Sequence, residues 1–162
     1  MYFGDTSHFS TVANVPYAWQ KKNENILLPS IRNKSLSVLG LLSASCELFQ
    51  NTYEGTINSS TIIDFLDQFC KTITKRTVIV LDNASIHKSK LFQQNLSKWE
   101  EQDLYIYFIP PYSPELNRIE IRWRFIKYKW LPFDAFINFQ TLKDNLKNVL
   151  HNIGTKYIIN FN

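Results

Sequence analysis

Thr77-Val78-Ile79-Val80-Leu81-Asp82 is the stretch on which the fold turns. Five β-branched or apolar residues run together with no polar alternation, then stop at a carboxylate. A run of that kind belongs to a strand buried on both faces, as in a parallel sheet covered by helices. Downstream, Phe92, Leu96 and Trp99 share one side of a helix from about Lys88 to Trp99, and Leu104 to Ile109 reads as a second buried strand. Pro110-Pro111 stops that strand. Ser113-Pro114 reads as an N-cap followed by proline at the first helical position. The stripe Ile119, Trp123, Ile126 and Trp130 then marks a helix that ends at Pro132. A last helix, about Asn138 to Asn152, carries Phe139, Leu142, Leu146, Val149 and Ile153. Upstream, a helix starts near Ser59-Ser60, where Thr61 and Asp64 have capping-box spacing, and it presents Ile62, Leu66, Phe69 and Ile73 on one face. Ser37–Ser43 and Cys46–Tyr53, separated by Ala44-Ser45, read as a hairpin, and a short strand is expected around Pro16–Gln20. Strands that alternate with helices imply parallel crossovers, and the early hairpin adds an antiparallel part. The expected fold is α/β, a mixed sheet with helices on both faces.

Composition bounds the function. The chain has 162 residues, one domain's worth, with 44% hydrophobic, 15% aromatic and 20% charged residues. That excludes a disordered or fibrous chain. The net charge of +4 and pI near 9.0 are compatible with a polyanionic partner. No apolar run approaches the roughly 18–20 residues of a membrane span, so no membrane partner is expected. Met1-Tyr2-Phe3-Gly4-Asp5 lacks the basic and apolar regions of a signal peptide. Cys46 and Cys70 form no C-x-x-C pair and are expected as free thiols in a reducing, cytoplasmic setting.

Three carboxylates carry the chemical interest. Asp82 closes the most apolar strand, Asp5 follows Tyr2-Phe3, and Glu120 lies just inside the helix after the Pro-Pro stop. Ligands of open α/β sheets gather beyond the carboxyl ends of the strands. Acids that converge there repel unless a cation neutralises them, and oxygen donors suit Mg²⁺ or Mn²⁺. Each acid also has a structural reading. Asp82 can cap the turn that follows, Glu120 can be the capping-box partner of Asn117 or pair with Arg124, and Asp5 can be a solvated terminal residue. His87 stands five residues after Asp82 with no second histidine at metal spacing. Arg118, Arg122, Arg124, Lys127 and Lys129 are interleaved with aromatics, and Lys21, Lys22, Arg32 and Lys34 form a second basic group. Of these, Lys21, Lys22, Arg118, Arg122, Arg124 and Lys127 are the candidates for phosphate contact.

Four blocks, in order, resemble one family. They are Phe3-Gly4-Asp5-Thr6-Ser7-His8-Phe9, Tyr17-Ala18-Trp19, Val80-Leu81-Asp82-Asn83-Ala84-Ser85-Ile86-His87, and Ile109-Pro110-Pro111-Tyr112-Ser113-Pro114-Glu115-Leu116-Asn117-Arg118-Ile119-Glu120-Ile121-Arg122-Trp123. Together they are similar to the catalytic domain of DDE transposases, in particular the bacterial insertion-sequence enzymes related to mariner elements. The resemblance implies an RNase H-like, mixed five-stranded sheet flanked by helices on both faces. It implies Asp5, Asp82 and Glu120 as catalytic acids that bind two Mg²⁺ or Mn²⁺ ions, with Asn83 and His87 shaping the site. It implies transposon ends and target DNA as partners, and a homodimer when active. Family members carry a helix-turn-helix region ahead of the first acid; with four residues before Asp5, that region is expected to be absent and the first strand short, leaving residues 1–162 as a single catalytic domain. The competing expectations are a reused module that keeps the fold and binds DNA or protein without cutting, and a nuclease acting on RNA–DNA hybrids.

Overall fold

The buried run at 77–81 is a central strand, as its composition requires. The computed structural model describes residues 1–12, 22, 34–111 and 113–159. The strand expected around 16–20 therefore lies outside the described residues, as does Lys21. In chain order the strands are β1 (Tyr2–Ser10), β2 (Ser35–Ser43), β3 (Leu48–Glu54), β4 (Thr77–Leu81) and β5 (Leu104–Phe108). The helices are α1 (Ser59–Cys70), α2 (Lys90–Glu100), α3 (Arg118–Phe125) and α4 (Phe139–His151). One five-stranded sheet has the order β3-β2-β1-β4-β5. β1, β2 and β3 pair antiparallel, whereas β4 runs parallel to both β1 and β5. The mixed sheet is thus a hairpin-built half joined to a crossover-built half.

The two faces of the sheet bury separate cores. On one face Phe3, Phe9, Val38, Leu42 and Val80 pack under Ile119, Trp123 and Ile126 of α3 and Leu142, Leu146 and Val149 of α4. On the other, Leu39, Leu41, Ile79 and Leu81 pack under α1 and α2, with Phe65, Phe69, Phe92 and Trp99. Alternation along β2 and β4 sends successive apolar side chains to opposite cores, so neither strand shows a polar side.

Several boundaries differ from expectation. β1 is a nine-residue strand that continues five residues past Asp5. The N-cap of α1 is Asn58, whose side chain accepts from Thr61 N at 2.9 Å, so Thr61 receives no capping box from Asp64. Pro114–Leu116 forms a single 3₁₀ turn, and α3 begins only after Asn117. Beyond Phe125 the helix widens into a π-helical turn, Ile126–Trp130. The α4 prediction holds, with a capping box between Asn138 and Thr141.

Candidate active site

Register brings the first two acids side by side. β1 and β4 pair at Tyr2↔Ile79 and Phe3↔Val80; continuing that register sets Asp5 level with Asp82. Val80 and Phe3 face the α3 core, so two residues further along β1 Asp5 faces it too, whereas Asp82, just past the end of β4, is held by His87 and the Ala84 amide. β4 ends at Leu81 while β1 runs on. Asp82 therefore sits at the carboxyl end of its strand, whereas Asp5 lies inside β1, at the level where β4 has left the sheet. α3 crosses above and carries Glu120 in its first turn.

Two contacts hold α3 there. Asn117, almost fully buried, donates from Nδ2 to the carbonyl oxygen of Gly4 at 3.0 Å. On the sheet, Gly40 lies opposite Asp5. A Cβ at Gly40 would stand 2.8 Å from Cη2 and Cζ2 of Trp123, so the indole rests directly on the backbone of β2 where any side chain would lift it.

The electrostatics follow from this packing. The Asp5 carboxyl is pushed up to about 8, chiefly by burial and the neighbouring Glu120, with Asp82 adding to the rise. The Thr6 amide acts against the shift, as does the Trp123 indole, which is close enough to favour the charged form. That indole N–H is buried and makes no hydrogen bond of ordinary geometry. Asp82 behaves oppositely. His87 Nδ1 lies 3.1 Å from its Oδ1, and the Ala84 amide donates to the same oxygen at 3.2 Å. These contacts, the His87 hydrogen bond first, hold Asp82 below the usual carboxylate range. Asp82 thus does cap the turn that follows it, and its carboxylate is engaged. Lys127, half-buried two helical turns beyond Glu120, is pulled down by burial and pushed back up by Asp5 and Glu120. Its ammonium lies 5.4 Å from the centroid of Phe9.

Among the described residues, no three His, Cys, Asp or Glu side chains stand close enough together to hold one metal ion. Unneutralised carboxylates repel, and Asp82 is turned towards His87. The donor set nonetheless fits a divalent cation. All donors are oxygens, which suits Mg²⁺ or Mn²⁺. Burial, with Glu120 and Asp82 adding to it, pushes the Asp5 carboxyl towards its neutral form, and a divalent charge would oppose that.

A cleft of about 400 Å³ opens at this end of the sheet, lined by Asp82, Asn83, Lys88, Asn117 and Glu120 and walled by Pro110-Pro111. Asn83 Nδ2 donates to the carbonyl of Ile109, which ties the turn after β4 to the end of β5. His87 is buried against Phe92 and Phe108, so its ring is fixed while it holds Asp82. Asn83 and His87 therefore both fix the turn that carries Asp82. Sequence reasoning passed over three residues here. Trp123 was legible only as part of an apolar stripe, Asn117 only as a capping partner, and Lys88 only as a helix start.

The basic candidates divide. Arg118, Arg124 and Lys22 are exposed, and Arg118 lies over the ring of Phe3. Arg122 is a correction: it is fully buried and cannot meet a phosphate backbone. Its guanidinium stacks 5.6 Å from the centroid of Trp130, Nη1 reaches the Tyr157 carbonyl at 3.5 Å, and Nε and Nη2 make no hydrogen bond of ordinary geometry, although Cys46 is close enough to favour the charge. Position explains this, because Arg122 follows Ile119 by three and precedes Ile126 by four, which places it on the core-facing stripe.

Residues 1–143 match the family model described as DDE superfamily endonuclease. No curated protein matches the sequence. Among solved structures, a chain of the simian T-cell lymphotropic virus intasome, in complex with PP2A regulatory subunit B56 gamma, is 17% identical, with a TM-score of 0.65 over 98% of this chain and 49% of that one. The Mos1 mariner paired end complex with Mn gives 15% identity and a TM-score of 0.63, covering 93% of this chain and 47% of that one. The catalytic core domain of HTLV-2 integrase, in complex with magnesium, gives 13% identity and a TM-score of 0.51 over 98% and 87% of the two chains. The shared fold is that of transposase and integrase catalytic cores, and the chain spans about half the length of the first two.

Proposed function

This chain belongs to the DDE superfamily endonucleases, and on that premise we propose that it is a transposase catalytic domain that cleaves DNA phosphodiesters at transposon ends and joins the freed ends to target DNA. One observation carries the reading: β1, β4 and α3 bring Asp5 into the fields of Glu120 and Asp82 at the carboxyl end of the parallel pair. The solved mariner and integrase complexes named with Mn and magnesium support the same reading.

In this proposal Asp5, Asp82 and Glu120 hold two Mg²⁺ or Mn²⁺ ions. Ions held there would supply activation of a water or a 3′-hydroxyl and charge stabilisation for the leaving oxygen. The protein's own part is to aim and to hold. His87 and Asn83 fix the turn that presents Asp82. Trp123 and Gly40 seat α3 so that Glu120 overlooks β1. Asp5 must give up its proton before it can ligate, and the Trp123 N–H stands ready to favour its charged form. Pro110-Pro111 lines the same cleft. Lys22, Lys21, Arg118, Arg124 and Lys127 steer the polyanion by charge, without reading sequence. A homodimer, acting inside the cell on two transposon ends together, completes the proposal.

The test is Mn²⁺-dependent nicking of supercoiled DNA by the chain and by Asp82→Asn. Nicking by the chain, reduced to background in the variant, is the expected result. Equal nicking by both proteins rejects the assignment of Asp82. DNA binding by the unaltered chain without any nicking favours a module that keeps the fold but does not cut.

A further inference from the structure

Asn117 departs from what its position asks of it. It is the residue at the N-terminal cap of α3, and asparagine is among the best side chains for accepting a hydrogen bond from the first-turn amides. Its side chain makes no such bond. Nδ2 instead donates to the carbonyl oxygen of Gly4, across 113 positions of sequence. The orientation of the amide is settled by chemistry, since a carbonyl only accepts. Oδ1 is buried and has no donor at all. A nearly fully buried side chain that forgoes its cap and satisfies one end only is held for what that one contact fixes. The contact joins the residue before Asp5 to the residue three before Glu120. Asn117 also lines the cleft with Asp82 and Glu120.

We propose that Asn117 is a positioning residue that clamps α3 to β1 and so sets the separation of Asp5 and Glu120, and with it the affinity of the site for divalent cations. The inference rests on the reading that these acids ligate metal. It assigns Asn117 no contact with substrate. Its effect passes through the backbone of Gly4 to Asp5 and through the first turn of α3 to Glu120.

Asn117→Ser separates the clamp from the cap. Serine is a favoured N-cap, so the helix end is kept, but its hydroxyl is one bond shorter than the asparagine amide and falls short of Gly4. Val149→Ala is the control, a loss from the α4 core without contact to the acids. The probe is Mn²⁺ alone, followed by the EPR signal of the free ion. Asn117→Ser is expected to bind Mn²⁺ about tenfold more weakly than the parent, a typical loss for a residue supporting metal ligands, and Val149→Ala to bind as the parent does. Nicking by Asn117→Ser should recover at raised Mn²⁺, whereas Asp82→Asn should not recover at any concentration. Asn117→Ser binding Mn²⁺ as tightly as the parent overturns the clamp while leaving the metal reading intact. An equal loss in Val149→Ala also overturns it, because general loosening would then suffice. Failure of the parent chain itself to bind Mn²⁺ removes the metal reading, and the clamp with it.

Discussion

Asp5 is the residue whose chemistry depends most on where the fold puts it. In the unfolded chain its carboxyl titrates in the ordinary range; in the folded chain burial, Glu120 and Asp82 move it to about 8. Between those values the folded state holds a proton that the unfolded state has lost, so stability falls as pH rises. The contribution is fully present below the unfolded pKa and is lost as pH rises through the folded one. Without divalent cation, thermal stability should therefore decline from about pH 4 to about pH 8, by about 1–3 kcal/mol after allowance for the partial exposure of Asp5. Asp82 works the other way, its contribution being lost only as pH falls below the usual carboxylate range, so it does not mask the decline. Asp5→Asn should flatten the profile, and Mn²⁺ should raise the melting temperature more at the higher pH. Melting curves across this range check all three outcomes. Gly40 offers a second test at the same scale. Gly40→Ala drives a methyl group to 2.8 Å from a rigid, buried indole. Overpacking of this kind typically costs about 1–3 kcal/mol, and it should weaken Mn²⁺ binding as well, because α3 is lifted away from Asp5. Urea denaturation with and without Mn²⁺ measures both effects.

Among the elements, the two turns that wall the cleft are joined by one side chain. Asn83 bonds to the Ile109 carbonyl, and the Ile109 amide bonds to the Leu81 carbonyl at 2.9 Å. Asn83→Ala leaves a shielded carbonyl unsatisfied, so a loss of about 1–3 kcal/mol is expected, read as a lower urea midpoint. The elements legible in the sequence were those whose signal is local. The run at 77–82 is a strand because no helix at this length would bury its side chains on both faces, the run at 104–109 is a strand at the sheet edge, where Tyr107 is exposed, and the α4 stripe is periodic throughout. The start of α3 was not legible. Ser113-Pro114 is a sound local start signal, yet it yields only a 3₁₀ turn, because the helix is registered by Asn117 on Gly4, at the far end of the chain. Asp82 and Glu120 could be singled out from strand end and helix start, and Asp5 from the short apolar start Tyr2-Phe3 with a weaker signal, since its place inside β1 depends on pairing with β2 and β4. Arg122 was misplaced for a different reason: its charge outweighed its position, although its spacing from Ile119 and Ile126 already put it on the buried face.

The whole molecule separates its charges by depth. Acids gather at one end of the sheet between β1, β4 and α3, whereas Arg118 and Arg124 stand on the outer side of the same helix and Lys127 reaches back towards the acids. A polyanion drawn to the outer surface thus arrives beside carboxylates that repel it until their charge is neutralised. Binding of duplex DNA without divalent cation should accordingly be weak and steeply salt-dependent. Arg122 and Arg124, two residues apart, make the decisive comparison. Arg124→Ala removes an exposed cation and should lower the slope of log affinity against log salt by about 1. Arg122→Met removes a cation that never meets solvent, so the slope should stay unchanged. Its effect should appear in stability instead, and a large loss is not expected, because burial already disfavours the guanidinium charge, with only Cys46 acting against it, and an apolar side chain of similar length suits the site. Fluorescence anisotropy on labelled duplex across a salt series reads the slope, and urea denaturation reads the stability. A fall in slope for Arg122→Met matching that of Arg124→Ala would mean that the buried guanidinium reaches DNA, and α3 would then have to leave the sheet on binding.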